Sequence, residues 1–303
     1  MRSRLNSESP LRGILGRMAG IRRSAAVLAV LVAGSALVTP QAGDSRLATY
    51  ARVASLYHDT ALGFACRETI TYRGPTTGRI GFAYIFVHEN GRLHDYRTWS
   101  SGTLAADRGK EVDPATYHVP RFLASAYLFP FVFREDRQPL HAFYNLGEDE
   151  ALGRRALKVG FQPKGAIKVG ENDWVGTAWF DLETSQFLKV QAWSPADWDK
   201  RATREQEIAA APSKGHSWES DPYEIETVEV EYGVVKNGMR FPSKVTIVQT
   251  RSKVHGGERD DPLSEYEILR VTQEYSDYEF FSVRSSEEIR RIVSGDAAPK
   301  SRK

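Results

Sequence analysis

Seven histidines, one cysteine and several close-set carboxylates are the side chains in this 303-residue sequence that could bind a metal, move protons or attack a carbonyl. A zinc site needs such ligands at short fixed spacing, and His58, His88, His94, His118, His141, His216 and His255 form no H-E-x-x-H or related pattern. His88 and His94 are close in sequence, but they flank Asn90-Gly91, a two-residue hairpin signal. That turn sets His88 opposite Leu93 and His94 opposite Val87, so the two imidazoles point to opposite faces. The lone Cys66 excludes an intrachain disulfide and any multi-thiolate site, and with no patterned base nearby it reads as a small buried hydrophobe. Glu224-x-Glu226 and Glu229-x-Glu231 each put two carboxylates on one face of a strand, the raw material of glycoside hydrolysis. Glu229 and Glu231 fall on the same side as Lys244, which makes them the charged, solvated side of a sheet. Glu258, Asp260 and Asp261 follow Gly256-Gly257 without the spacing of a calcium loop. There is no G-x-S-x-G elbow, phosphate loop or dinucleotide fingerprint. The sequence therefore assigns no catalytic residue, no metal ligand and no cofactor.

The positive signal is aromatic: 14 Phe, 13 Tyr and 6 Trp. Phe122, Tyr127, Phe129, Phe131 and Phe133 crowd one stretch, and Tyr232 and Phe241 fall on the apolar face of a hairpin. Ordinary core packing and a lined cavity both account for such a set. If it is a cavity, these seven are its ligand-binding residues.

The elements that would position them are mostly strands. Thr227 to Val248 carries Asn237-Gly238 as a two-residue loop, which sets Val228 opposite Ile247, Val230 opposite Val245, Tyr232 opposite Ser243 and Val234 opposite Phe241. One face is then apolar, and the other pairs Glu231 with Lys244 and Glu229 with Thr246. Three further hairpins are read: Arg79–Val87 with Leu93–Trp99; Leu140–Leu146 with Arg155–Phe161 around a turn at Gly147-Glu148-Asp149-Glu150; and Trp174–Asp181 with Phe187–Trp193. Tyr266 to Val283 holds at least one more strand. Helical signals are few. Asp44 caps an amphipathic helix running to about Leu62, Pro120–Leu128 is a short apolar helix laid on the sheet, and Ser194-Pro195-Ala196-Asp197 opens a charged helix that Pro212 stops. A short helix over Glu287–Val293 and a disordered tail at 295–303 complete the reading. The expected fold class is mainly β (α+β), an antiparallel meander forming an unclosed half-barrel with an N-terminal helix and a short lid-like helix, over residues 43–294, with 194–222 as a charged helical excursion.

Charge and address limit the function. The 41 Lys+Arg and 39 Asp+Glu give a net charge of +2. Six arginines and a single acid, Glu8, precede Ala42, so the remainder is slightly acidic and poorly suited to nucleic acid. Those arginines lead into the apolar run Ala25–Val38, the layout of a signal peptide over residues 1–42, too short and interrupted for a stable span. A periplasmic or secreted protein is expected, with no stable transmembrane span in its mature form.

The order of pieces also carries a resemblance. Phe64-x-Cys66-x-Glu68-Thr69, then Gly176-Thr177-Ala178-Trp179-Phe180-Asp181-Leu182-Glu183-Thr184 followed by Phe187-Leu188-Lys189-Val190, and Tyr232-x-x-Val235 with Gly238-x-x-Phe241-Pro242-Ser243, resemble LolA-like and outer-membrane lipoprotein-sorting-like proteins over roughly Phe64 to Val283. The resemblance implies a half-barrel wrapped around helices, with a hydrophobic cavity for a lipid, lipoprotein acyl chains or another apolar ligand, and no enzymatic activity. The alternative is an envelope scaffold or sensor whose interior is simply a packed core and whose partners are envelope proteins.

Overall fold

Ten antiparallel strands, each long enough to alternate between a dry and a wet face, form one unclosed sheet in the computed structural model. The structure describes residues 40–59, 63–89, 92–101, 129–165, 174–210, 218–256 and 263–280. The expected signal peptide, the Pro120–Leu128 helix with Phe122 and Tyr127, the Glu258–Asp261 acidic loop, the Glu287–Val293 helix and the tail lie outside the described residues. Among those described, no helix is long and apolar enough to cross a membrane.

The strands are β1 (Gly63–Arg73), β2 (Thr77–Glu89), β3 (Arg92–Ser101), β4 (His141–Ala151), β5 (Arg154–Pro163), β6 (Val175–Asp181), β7 (Phe187–Trp193), β8 (Trp218–Glu219), β9 (Tyr223–Glu231), β10 (Val234–Lys236), β11 (Met239–Phe241), β12 (Lys244–Gly256) and β13 (Leu263–Phe280). Their order is β3-β2-β1-β13-β12-β9-β7-β6-β5-β4, with β8 paired to the end of β12 and β10–β11 a separate two-stranded ribbon. The sheet is thus more than a simple meander. The last strand inserts beside the first, and the two edges, β3 and β4, are neighbours in sequence.

The Asn237-Gly238 register is as the turn dictates: Val228 pairs with Ile247, Val230 with Val245, and Val234 with Phe241. Both loop residues have positive φ, 51° and 81°, the conformation that Asn-Gly adopts at least cost. The expected Tyr232–Ser243 pair is absent as a ladder step. The Ser243 N–H donates to the Glu231 carbonyl at 2.7 Å and the Ser243 hydroxyl accepts from the Gly233 N–H at 3.0 Å, so the ribbon β10–β11 breaks away from β9–β12 there. The Asn90-Gly91 hairpin keeps its register too, with Val87 opposite His94 and His88 opposite Leu93.

The turn read at Gly147–Glu150 is corrected. Those residues continue β4, and the chain reverses at Leu152-Gly153, both at positive φ of 51° and 70°. Gly147, at φ 90°, is instead the extra residue of a β-bulge between Asn145 and Glu148. A glycine beside acids imitated a turn, and a leucine in the left-handed region concealed the real one. Two edge amides here are met by neighbouring side chains, since Gly147 N–H donates to Asn145 Oδ1 at 2.9 Å and Glu150 N–H to Asp149 Oδ1 at 2.8 Å.

Helix α1 spans Pro40–Asp59, so Asp44 lies inside it rather than capping it, and the expected end near Leu62 lies outside the described residues. Its buried residues Tyr50, Val53, Ala54 and Tyr57 recur at three- and four-residue spacing and pack on the sheet's dry face, the inner face. A 3-10 turn at Phe129–Phe133 lies beside it. Helix α2 (Pro195–Ala210) starts as expected, with the Asp197 N–H donating to Ser194 Oγ at 3.1 Å. It is less an excursion than a cover for strands β7, β9 and β12. Trp198 meets Trp193 with ring centroids 5.5 Å apart, and Arg201 lies 4.7 Å above the Trp193 ring.

Candidate ligand-binding interior

The inner face is built by register. Val230 of β9 pairs with Val245 of β12, which pairs with Gln273 of β13, which pairs with Ile70 of β1, so side chains at these positions share one side of the sheet. On the β5–β7 side, Phe161 pairs with Gly176. That glycine has a packing reason, because a Cβ there would come within 2.7 Å of Phe161 Cζ and closer still to the Gln191 carbonyl oxygen. The Phe161 ring lies over the bare backbone of the neighbouring strand.

Phe133 is the hub of this half. It is fully buried and meets Tyr50 of α1 at 6.3 Å, Phe161 at 5.5 Å, Phe180 at 5.0 Å and Phe187 at 5.5 Å, with Tyr50 stacked on Phe180 at 3.6 Å. Phe129 is also fully buried, edge-on to Trp174 at 5.1 Å, and Phe131 is half-buried against the same cluster. Tyr232 and Phe241 lie at another part of the interior, around Tyr57 at 6.1 Å and 6.3 Å. Phe187 touches both groups, since it lies 5.7 Å from Tyr232. Five of the seven residues expected from sequence therefore belong to one apolar interior, in two groups bridged by Phe187.

The ribbon β10–β11 is fastened against this interior. The Gln186 side chain donates to the Gly238 carbonyl at 2.7 Å and accepts from the Arg240 N–H at 2.8 Å, and the Tyr57 hydroxyl donates to the Arg240 carbonyl. Asp181 steadies the adjacent turn. Burial alone would raise its carboxyl, but Arg154 at 2.6 Å and the Glu183 N–H at 2.9 Å outweigh that and hold it below the ordinary carboxylate range. The Trp-Phe-Asp run of the β6 turn is thus architectural, with Trp179 facing the other way. On the outer face, Trp179 donates to Asp149 at 2.9 Å and is covered by Lys158 and Lys189, each 5.1 Å from its ring. Glu229 pairs with Lys189 at 2.6 Å and Glu231 with Lys244 at 3.7 Å, the charged outer face expected of those carboxylates.

One polar group on the inner face was not among the expected site residues. Glu68 is fully buried on β1, bound by Arg97 through Nε at 2.6 Å and Nη2 at 3.2 Å, and it accepts from Gln273 Nε2 at 3.1 Å. Arg97 also lies 4.6 Å over the Tyr84 ring. Burial pulls the guanidinium down, and Glu68 more than reverses this, so Arg97 stays charged. The signal was present in the alternation Phe64, Cys66, Glu68, Ile70, which puts a carboxylate on the dry side of its strand. Burial, with Glu68 adding to it, pushes the Cys66 thiol up, so it remains protonated and unreactive. Among the described residues no group of three or more His, Cys, Asp or Glu side chains is placed to hold a metal ion.

No family model matches the chain, and no curated protein matches it in sequence. Solved structures are similar to it. A lipoprotein-sorting protein domain from Vibrio parahaemolyticus aligns with 11% identity and a TM-score of 0.41, covering 81% of this chain and 96% of that one. A DUF1329 family protein from Desulfovibrio piger aligns with 9% identity and a TM-score of 0.40, covering 81% and 96%. A LolA superfamily protein from Nitrosomonas europaea aligns with 10% identity and a TM-score of 0.38, covering 80% and 94%.

Proposed function

We propose that this chain is an exported, non-enzymatic binding protein that holds a lipid, a lipoprotein acyl chain or another apolar ligand against the inner face of its open sheet. The observation that carries this reading is the aromatic interior that runs from Phe129 and Phe133 through Phe187 to Tyr232 and Phe241, inside a sheet whose edge strands do not pair with each other. Phenylalanine rings offer large apolar area and can part without leaving a hydrogen bond broken. The residues that would admit and line the ligand are Phe122, Tyr127, Phe129, Phe131, Phe133, Tyr232 and Phe241. A basic, apolar leader over residues 1–42 would send the chain to the periplasm or beyond.

A second reading draws on one observation. Phe129, Phe133, Tyr232 and Phe241 are each at most 3% exposed, as in a core that is simply packed, and an envelope scaffold or sensor would then meet protein partners on its outer face. The full chain, expressed with its leader and purified without detergent, is to be extracted and its apolar small molecules measured by mass spectrometry. A species at stoichiometric amount, whose removal lowers the melting temperature, is the expected result. An empty protein whose melting is unchanged by acyl compounds would reject the binding reading in favour of the packed core.

A further inference from the structure

Gln273 lies on the inner face of the interior strand β13, paired with Ile70 on one side and Val245 on the other, and is fully buried. Its Nε2 donates to Glu68 Oε1 at 3.1 Å, which fixes the orientation of the amide, because an ionised carboxylate only accepts. The Gln273 Oε1 is consequently turned away from Glu68 as a buried acceptor, and among the described residues it has no hydrogen-bond partner. Buried polar atoms in native proteins are nearly always satisfied, by a protein group, an ordered water or a ligand. The charge here is already balanced, since Arg97 is committed to Glu68 through two hydrogen bonds. An entering anion would be placed beside a buried carboxylate, whereas a neutral group bearing an O–H or N–H would supply what Gln273 lacks.

Resting on the binding reading above, we propose that Gln273, with the Glu68–Arg97 pair behind it, is a polar subsite that selects apolar ligands whose neutral head carries a hydroxyl or amide hydrogen-bond donor, over ligands that end in a carboxylate. The donor meets Gln273 Oε1, and the acyl chain extends along the aromatic interior.

The test uses the delipidated full-length protein and displacement of the fluorescent probe N-phenylnaphthylamine by four palmitoyl compounds. Monopalmitoylglycerol brings hydroxyl donors, N-methylpalmitamide an amide donor, methyl palmitate a neutral head without a donor, and palmitate an anion. Both donor compounds are expected to displace the probe at about tenfold lower concentration than methyl palmitate, with palmitate weakest at neutral pH. Preference for only one of the two identifies the source of the donor as glyceride or amide. In Gln273→Leu the donor compounds are expected to fall to the level of methyl palmitate, while methyl palmitate itself is unchanged; Gln273→Met serves if the leucine variant does not fold. Equal displacement by all four, tightest displacement by palmitate, or a donor preference that survives both substitutions would overturn the subsite and leave the binding reading standing. Displacement by none of the four would remove both.

Discussion

Replacing Arg97 by Met keeps most of its volume and removes the charge that holds Glu68. The carboxylate is fully buried and the guanidinium side chain is 12% exposed, so solvent screens this pair little. Breaking a buried pair on one side leaves an uncompensated charge and costs about 3–5 kcal/mol. For a domain of this size each kcal/mol lowers the midpoint by about 2–4 °C, so Arg97→Met is expected to melt at least about 6 °C below the wild type. Adding Glu68→Leu removes the stranded charge and leaves only the Gln273 amide without its acceptor, a loss of about 1–3 kcal/mol. The double variant should therefore be more stable than the single one. Urea unfolding followed by near-ultraviolet circular dichroism measures all three proteins, with the denaturant slope checked for constancy. A double variant as unstable as Arg97→Met, or less stable, would refute the charge argument and transfer the loss to the packing of Arg97 on Tyr84.

Further expected outcomes rest on single sites. Val230→Glu puts a carboxylate at a fully buried inner-face position and should unfold the domain or lower its melting temperature by more than about 10 °C, whereas Glu229→Val, on the outer face beside Lys189, should change stability by less than about 1 kcal/mol; equal effects in thermal melts would refute the register. Leu152→Asn places a residue tolerant of the left-handed region at φ 51° and should raise stability by about 1 kcal/mol in chemical denaturation, and a loss would mean that Leu152 packing outweighs its backbone strain. Burial, with Asp197 adding to it, pushes the Glu226 carboxyl up from 4.5 to about 7. Its folded form thus binds protons more readily than its unfolded form, so its stabilising effect is complete below about pH 4.5 and is lost as pH rises through about 7. Glu226→Gln should flatten that part of the melting-temperature profile, and an unchanged slope would refute the assignment.

How much was legible follows from where each pairing is decided. Asn237-Gly238 and Asn90-Gly91 set their strands locally, because a two-residue loop leaves one register open, and both registers were readable apart from the Tyr232–Ser243 step, where the ribbon breaks away. Ser194 and Pro195 announced α2 for a similarly local reason, a side chain capping an amide three residues on. Leu152-Gly153 was not readable, since leucine seldom occupies a left-handed turn position and the bulge glycine five residues earlier gave the stronger signal. The sheet order was not readable either. Nothing near Phe64 or Phe280 says that β1 and β13 meet, because that pairing is decided by the fit of two complete surfaces. The candidate interior was half visible for the same reason: aromatic crowding pointed to Phe129–Phe133, while Glu68, Arg97 and Gln273 come from three strands and only the assembled sheet brings them together.

The meeting of β1 and β13 also bears on time. Glu68 and Gln273 are 205 residues apart in the chain, and the first and last strands to be synthesised in the described domain are neighbours in the interior of the sheet. Contact order is therefore high at this seam, and loop closure must precede most of the reward, so folding should be slow and should reach completion only when the last strand is available. The isolated halves β1–β3 and β4–β7 would each expose an apolar face in the meantime. A chain that waits for its final strand stays threadable while it is being made, and it gains from any holdase that shields those two faces until they can join.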